Sequence, residues 1–396
     1  MTSEQTTNRW AVLAALFAAR LTMALQYQAV AAVSPLYLDG YGATLADVGA
    51  LIGIYLAPGV LIAIPGGSLG HRFGDRNAIL AGMGLMIAGA VLMALGDSWS
   101  AQMAGRLLAG IGGVVLNVLM TKVVADTFSG RELATAMGIF VNSWPVGIAV
   151  ALIVLPWIGG DAPLFWIHLI LGAAVLIGAV LLFVMVPDKR SGGVAVPSEP
   201  LRGHTLSAVI FAGTIWGLLN VGLGMFFGFG PVLLVERGWD LGAASAATST
   251  VLWSAAVAIP LGGLLADRSG RHDVLMHVSF VGFAVVLVLV PMASSVTALF
   301  ILAGIMGGVA AGPVMALPAQ ALAPGNRALG MGIFFTLYYI SMWIGPWMAG
   351  AAADVVGTAE AAFWIGAILM IVCSGSLAGF RRSLLHRAQA EANTRR

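Results

Sequence analysis

Charged residues are scarce in this sequence. Only 9% of its 396 residues are Asp, Glu, Lys or Arg, whereas hydrophobic residues make up 60% and the mean hydropathy is +0.97. Soluble domains carry about 25% charged residues, which cover their surface in water. The length alone would allow two or three soluble domains, but the composition excludes them and predicts a surface that faces lipid.

Cysteine and clustered metal ligands are also lacking. Cys373 is the only cysteine, so an intrachain disulfide is impossible, and no cluster of His, Cys, Asp or Glu has the spacing of a metal site. We therefore expect no metal and no cofactor. A catalytic cluster and a sizeable domain outside the membrane are missing too, which argues against a membrane-embedded enzyme or receptor. The net charge of only +2 gives no reason to expect nucleic-acid binding.

Long apolar runs fill most of the sequence. A helix needs about 20 apolar residues to cross a hydrocarbon core of about 30 Å. Charged or Pro/Gly/Asp-rich breaks separate twelve such runs, at residues 10–36, 45–66, 77–95, 100–124, 135–157, 164–186, 205–229, 242–265, 274–292, 296–319, 329–353 and 360–380. The first run is too long for a cleavable signal peptide and contains Arg20. The sequence therefore predicts an all-α membrane protein with twelve transmembrane helices.

Basic residues lie mainly in alternate loops. They occur before the first predicted span, in every second loop and in the tail, whereas the opposite loops hold Arg237 and little else. Loops rich in Lys and Arg stay on the cytoplasmic side of a membrane. We therefore expect a multi-pass protein of the inner (cell) membrane with both termini in the cytoplasm.

A polar stretch divides the chain almost in half. It reads PDKRSGGVAVPSEPLRG, and its Gly, Pro, Ser and charged residues are typical of a flexible linker. The sequence GGSLGHRFGDR at Gly66 returns as GGLLADRSGRH at Gly262, and Arg131 is matched by Arg327 at the same offset of 196 residues. A parallel duplication of six helices explains both matches. We predict an N-terminal bundle at 1–187, a cytoplasmic linker at 188–204 and a C-terminal bundle with a short basic tail at 205–396.

Two motifs resemble those of the major facilitator superfamily. GGLLADRSGRH, from Gly262, closely matches the loop signature that this family carries between helices two and three and often again between helices eight and nine. RLLAGIGG, from Arg106, is similar to the family's fourth-helix motif, an arginine followed by spaced glycines. Together the motifs cover both halves of the chain. The resemblance implies two six-helix bundles related by a pseudo-two-fold axis, and transport by alternating access.

The two repeated loops are the candidate conformational latch. Glycines let helices approach around a tight turn, and Asp267 can cap a neighbouring helix N-terminus. In the family such contacts favour one state of alternating access; a basic loop that only fixes topology is the alternative. The first copy departs from the signature, with His71 in place of aspartate and Asp75 in place of a basic residue. The predicted latch residues are Gly67, Arg72, Arg76, Asp126 (as a partner for either of these arginines), Gly263, Asp267, Arg268 and Arg271.

Two arginines lie deep in predicted spans, where burying a charge costs about 3 kcal/mol or more. Arg20 is eleven residues beyond Arg9, about 16 Å along a helix and near the midplane. Arg106 is seven residues beyond Trp99, roughly 10 Å from the opposite interface. Every Asp and Glu lies in or within about one turn of a loop, so these arginines need water, carbonyls, aromatic faces or an anionic substrate. We predict that Arg20 binds an anionic group, whereas Arg106 has a structural role as its alternative.

The candidate binding site combines this charge with polar and aromatic residues. An arginine at midmembrane depth on helix one also resembles the organic-anion and phosphate-ester transporters of the superfamily, and its cyanate/nitroimidazole branch. We therefore expect a small, organic, anionic substrate; helix packing is the alternative for each aromatic residue. The predicted substrate-binding residues are Arg20, Tyr27, Gln28, Arg106, Asn117 and Asn142 in the first half and Trp216, Asn220, Tyr338 and Tyr339 in the second.

Span five helps to choose between uptake and export. Its sequence Asn-Ser-Trp-Pro, from Asn142, replaces the Gly-Pro-rich motif that is typical of drug/proton antiporters. The difference favours uptake by a secondary active or facilitative transporter, which we expect to be a monomer in the lipid. A drug/proton antiporter that exports hydrophobic or cationic compounds is the alternative, because an apolar cavity suits such compounds. The coupling ion stays open, since no Asp or Glu lies at midmembrane depth.

Overall fold

The structure is a computed structural model that describes residues 8–43, 45–159, 163–187, 201, 203–239 and 241–394. These residues form helices joined by short turns, and none of them lies in a β-strand. In the first half of the chain the helices are α1 Arg9–Ala32, α2 Ser34–Tyr41, α3 Leu45–Gly53, α4 Gly59–Phe73, α5 Asp75–Leu95, α6 Trp99–Thr127, α7 Leu133–Gly159 and α8 Leu164–Met185. In the second half they are α9 Gly203–Glu236, α10 Leu241–Ser269, α11 His272–Met292, α12 Thr297–Ala321, α13 Arg327–Val356 and α14 Glu360–Thr394.

The long helices confirm the predicted all-α membrane fold. Within the described residues, 11 helices are long and apolar enough to cross a membrane. Two predicted spans differ from single helices. The second span, 45–66, is divided between α3 and α4, and the first, 10–36, runs from α1 into the short helix α2. The chain is therefore a multi-pass membrane protein whose second predicted span is interrupted, whereas the first contains one continuous helix, α1.

The interruption of the second span lies at residues 54–58. Pro58 has no N–H to donate to the carbonyl one turn earlier, which weakens an α-helix at this point. The segment closes instead with tight turns, in which the Leu56 N–H donates to the Gly53 carbonyl and the Gly59 N–H donates to the Leu56 carbonyl. Backbone groups inside a membrane must find hydrogen-bond partners within the protein. We therefore expect neighbouring side chains to bond to the backbone groups that lose their helical partners at this break.

The chain divides into two compact units. One contains residues 1–127 and 143–198, and the other contains residues 128–142 and 199–396. The beginning of α7 therefore groups with the second unit, although the sequence places it in the predicted N-terminal bundle. The predicted linker, 188–204, lies outside the described residues except for residue 201 and the start of α9. The linker and the bundle boundaries stay predictions.

Glycines let α6 pack closely in the first unit. A Cβ atom at Gly112 would lie 2.2 Å from the carbonyl oxygen of Gly82 on α5. A Cβ atom at Gly110 would lie 2.3 Å from the carbonyl oxygen of Tyr55, in the interrupted segment. Small residues of this kind allow membrane helices to approach backbone to backbone. The glycines of RLLAGIGG thus place α6 against both α5 and the break in the second span.

Aromatic rings fill the interior of the second unit. Phe226 on α9 lies against Phe283, Phe300 and Phe363, on α11, α12 and α14, with ring centroids 5.2 to 6.0 Å apart. All four side chains are fully buried. Two of the three contacts are edge-to-face, the geometry that the ring quadrupole favours. The cluster fixes α9 against three neighbouring helices.

Candidate substrate-binding site

Arg20 lies in the first unit where three helices meet. Its Nε donates to Oδ1 of Asn117 on α6 at 3.0 Å, and its Nη1 donates to Oγ of Ser143 on α7 at 3.2 Å. Only 5% of Arg20 is exposed. Both partners are uncharged side chains, and the two bonds orient the guanidinium. The structure thus brings the predicted residues Arg20 and Asn117 together and adds Ser143.

Three aromatic rings continue from Arg20, and we call Tyr27, Tyr55 and Trp144 the aromatic wall. The Cζ atom of Arg20 lies 5.7 Å from the centre of the Trp144 ring. The ring centroids of Trp144 and Tyr27 are 5.0 Å apart, and those of Tyr27 and Tyr55 are 5.8 Å apart. Tyr27 and Trp144 are partly exposed, whereas Tyr55 is fully buried. The electron-rich faces of aromatic rings attract a nearby cation, so Trp144 helps to hold Arg20.

Arg106 is enclosed in the same unit, with 1% of its surface exposed. Its Nη atoms donate to the backbone carbonyls of Gln26 and Tyr27 on α1. Its Nε donates to the carbonyl of Leu51 on α3 at 3.2 Å. One guanidinium therefore joins α6 to the backbones of two other helices.

The bond from Arg106 to the Leu51 carbonyl stabilises the break in the second span. In a continuous helix the Leu51 carbonyl would accept from the Tyr55 N–H, which here donates to the Ile52 carbonyl at 3.4 Å. Arg106 supplies a donor in its place, and its Cζ lies 4.5 Å from the centre of the Tyr55 ring. The guanidinium of Arg106 therefore bonds to the backbone and contacts the aromatic wall. The predicted contact between Arg106 and the substrate has no support in these contacts and stays a prediction.

Gln28 and Asn142 are the other predicted residues of the first half. Gln28 is partly exposed on α1, next to Tyr27. Asn142 is also partly exposed, and its Oδ1 is buried without a hydrogen bond to any described residue. A buried amide oxygen without a partner costs free energy, so water or a ligand is the expected partner here. Asn142 belongs to the second unit and directly precedes Ser143.

The predicted aromatic residues of the second unit lie together. The Trp216 ring centroid is 6.2 Å from that of Tyr338, which is 5.0 Å from that of Tyr339. Trp216 and Tyr339 are buried, whereas Tyr338 is partly exposed. Asn220 Nδ2 donates to the Trp216 carbonyl at 2.8 Å, within the same helix. The cluster consists of aromatic rings and one amide, and none of these four side chains carries a charge.

The second copy of the repeated loop caps a helix, as its aspartate suggested. Oδ2 of Asp267 accepts from both the N–H and the hydroxyl of Thr135, in the first turn of α7, each at 2.6 Å. A Cβ atom at Gly263 would lie 2.4 Å from the carbonyl oxygen of Ala134, so the two backbones touch. A carboxylate in the first turn of a helix is favoured by the helix dipole. The geometry is shown; its role as a latch stays a prediction.

Two further predicted latch residues of this loop, Arg268 and Arg271, are exposed at its surface. The first copy of the loop differs because its aspartate is displaced. Asp75, at the start of α5, pairs with Nζ of Lys122 on α6 at 2.5 Å, and Asp126 pairs with the same Nζ at 2.8 Å. Lys122 is 8% exposed. The four-residue spacing of Lys122 and Asp126 is visible in the sequence, but nothing there indicates that Asp75 reaches the same amine.

The predicted arginines of the first loop point to different neighbours. The Cζ of Arg72 lies 5.2 Å from the ring centre of Phe73, and Arg72 is exposed. Arg76 donates to the Val186 carbonyl at 3.4 Å and lies over the Phe183 ring. Gly67 is buried in α4. Asp126, predicted as a partner for Arg72 or Arg76, thus pairs with Lys122.

Comparison with known proteins places these features in a family. The sequence model of the Major Facilitator Superfamily matches residues 16–243 and 205–394. The tetracenomycin C resistance and export protein of Streptomyces glaucescens is 26% identical over 215 residues, which are 53% of this chain and 39% of that protein. The lysosomal dipeptide transporter MFSD1 of Mus musculus is 26% identical over 243 residues, which are 55% of this chain and 52% of that protein. The matched regions thus span about half or less of these relatives.

A solved structure has the same fold. The crystal structure of the human organic anion transporter MFSD10 superimposes with a TM-score of 0.77 at 17% identity, and the match covers 93% of this chain and 99% of that one. At this identity the likeness shows the fold alone. The family model, however, matches well over half of the chain and agrees with its loop and fourth-helix motifs. The chain therefore belongs to the major facilitator superfamily, whose members are membrane transporters and not enzymes.

Proposed function

We propose that this transporter takes up a small organic anion across the inner membrane by alternating access, with both termini in the cytoplasm. The observation that carries the proposal is the Arg20 cluster. Arg20 is buried on α1, at a position that its sequence spacing predicts to be near the midplane, and it donates to the uncharged side chains of Asn117 and Ser143. An ionisable residue deep in a predicted span is a candidate substrate-binding residue, and a cation there favours an anionic substrate.

Replacement of Arg20 tests the proposal. Losing a hydrogen bond to a charged group costs about 1.5–3 kcal/mol, so Arg20→Gln should weaken anion binding by roughly 10- to 150-fold. Arg20→Lys keeps the charge but cannot bond to Asn117 and Ser143 in the same geometry, so an intermediate loss is expected. Arg382→Gln, which removes an exposed arginine from α14, is the matched control and should bind as the unmodified protein does.

The measurement has two stages. Purified proteins are first screened by thermal shift against organic anions and organic cations, and the stabilising compounds are then used for uptake into liposomes. Arg20→Gln must retain the melting temperature of the ligand-free protein for its result to count as a binding effect. Anion affinity that is unchanged in Arg20→Gln would overturn the proposal.

Export of hydrophobic or cationic compounds is the second candidate function. The observation in its favour is the similarity to an export protein of Streptomyces glaucescens, which is confined to 53% of this chain. Under this alternative Arg20 serves only to join α1, α6 and α7. Binding of cationic dyes that is insensitive to Arg20→Gln, together with no response to any anion, would support export.

We also propose that the second repeated loop is a latch that favours one state of the transport cycle. The support is the pair of hydrogen bonds that Thr135 donates to Asp267, together with the backbone contact between Gly263 and Ala134. Such a contact has only two arrangements, made or broken, which suits a two-state element. The exposed Arg268 and Arg271 would then tune its electrostatics at the cytoplasmic surface.

A further inference from the structure

We propose that the anion transported by this protein carries a flat aromatic ring, which stacks on Trp144 and Tyr27 while its carboxylate binds Arg20. The inference rests on the proposed function and names the substrate class for the same site. It depends on the geometry of the aromatic wall and not on the charge of Arg20 alone.

Trp144 connects the charge to the rest of the wall. Its ring centre lies 5.7 Å from Cζ of Arg20 and 5.0 Å from the Tyr27 ring centroid, with an angle of 34° between the two ring planes. Both residues are partly exposed. A ligand whose carboxylate reaches Arg20 therefore meets ring surface directly beside it. Offset stacking is a preferred arrangement for rings at this kind of separation.

The wall is fixed before a ligand arrives. The Tyr55 hydroxyl donates to Oε1 of Gln26 at 3.3 Å, and the Tyr55 ring lies 5.8 Å from that of Tyr27. Arg106 bonds to the Tyr27 carbonyl and lies against the Tyr55 ring. Three rings are thus held between two guanidinium groups, Arg20 at one end and Arg106 at the other. Rings fixed in this way lose little conformational freedom on binding, which favours affinity for a matching flat ligand.

Stacking distinguishes an aromatic ligand from an aliphatic one of equal charge. Aromatic pairs contribute more than the burial of their area alone, by an amount equivalent to about a 2- to 12-fold gain in affinity. An aliphatic ring gains only from burial, which depends on area and not on orientation. Benzoate and cyclohexanecarboxylate form a suitable pair of probes, because both are monoanions at neutral pH and both carry a six-membered ring. The aliphatic probe has the more apolar ring, so a preference for benzoate cannot arise from hydrophobicity.

The test measures both probes on four forms of the full-length protein in detergent. Binding of radiolabelled benzoate is followed, and cyclohexanecarboxylate is the competitor. The unmodified protein should bind benzoate about 2- to 12-fold more tightly. Trp144→Leu should lower this ratio to about one while it still binds cyclohexanecarboxylate, and Arg20→Gln should lose both. Trp253→Leu, which removes a half-exposed tryptophan from α10, should behave as the unmodified protein.

The outcomes separate this inference from the proposed function. If both probes bind equally and Arg20→Gln abolishes both, the anion proposal holds and the aromatic inference is wrong. If neither probe binds in an Arg20-dependent way, both are wrong. Should Trp144→Leu fail to fold, Trp144→Phe and Tyr27→Leu replace it: phenylalanine should keep most of the ratio, and loss of the Tyr27 ring should reduce it. An unchanged ratio in Tyr27→Leu would overturn the inference.

Discussion

Replacement of Arg106 by methionine should destabilise the protein through the break in its second span. The guanidinium donates to three carbonyls on two helices, and one of them, Leu51, has lost its helical donor because the segment after Gly53 turns away. Arg106→Met fills a similar volume but donates nothing. Arg106→Lys keeps the charge but presents one compact head in place of the planar fork.

The expected magnitude follows from opposing contributions. Each bond from a charged donor contributes about 1.5–3 kcal/mol, which gives roughly 5–9 kcal/mol for the three bonds. Removing the arginine recovers about 3 kcal/mol, the cost of holding a charge inside the membrane. The carbonyls of Gln26 and Tyr27 lie inside α1 and keep their helical donors, so only Leu51 is left without a donor. We therefore expect a net loss of about 2–6 kcal/mol, or a fall of about 2–7 °C in the melting temperature of a 396-residue chain.

The comparison with Arg106→Lys identifies the cause. Lysine retains the buried charge and loses most of the bonds that stabilise it, so it should lower stability at least as much as methionine does. Samples are heated in detergent and the fraction that remains monodisperse is measured by size-exclusion chromatography; Arg382→Met, at an exposed site on α14, is the control. A melting temperature of Arg106→Met equal to that of the unmodified protein would refute the reasoning. A lysine variant clearly more stable than the methionine variant would show that the charge, and not the fork, matters.

Two further predictions concern close contacts of the backbone. Gly110→Ala should lower the melting temperature by several degrees, because its Cβ would lie 2.3 Å from the carbonyl oxygen of Tyr55. Gly84→Ala on α5, where a Cβ would meet nothing within 4 Å, is the control and should be neutral in the same heating assay. Equal effects of the two substitutions would contradict this packing. Asp267→Ala loses both bonds to Thr135 and should change the uptake rate in liposomes by roughly tenfold, whereas Thr135→Val loses only the hydroxyl bond and should change it by about threefold. Identical rates in both variants and in the unmodified protein would exclude this contact as a latch.

The membrane fold could be predicted from the sequence because it depends on composition over about 20 residues, which a linear sequence displays directly. The break in the second span could not. Prolines also lie inside the continuous helices α9 and α10, at Pro231 and Pro260, so Pro58 alone does not mark an interruption. The difference lies in what receives the freed backbone groups. Gly110 leaves room for the Tyr55 backbone, and Arg106, which is far away in the sequence, donates to the Leu51 carbonyl. The residues around the break do not indicate either contact.

The candidate site shows the same division. The depth of Arg20 and the polar position of Asn117 are both readable from spacing, and the two residues do meet. The contribution of Ser143 and Trp144 was not predicted, because their sequence was interpreted only as a missing antiporter motif. Which helix faces which neighbour depends on tertiary packing, and a single sequence does not contain that information for helices that are apolar on all sides.

The two units carry different residues at one pair of positions that the duplication relates. Arg20 and Trp216 are 196 residues apart, the offset of the repeated loops. Each packs against an aromatic partner within its own unit, Trp144 for Arg20 and Tyr338 for Trp216, so the aromatic neighbour is shared while the charge is not. Arg106 is 1% exposed and already donates to three backbone carbonyls, so Arg20 is the better candidate anchor. Under the function proposed above, in which Arg20 binds the substrate, we expect a monoanion, because removing the second charge of a dianion from water would add to the cost of binding.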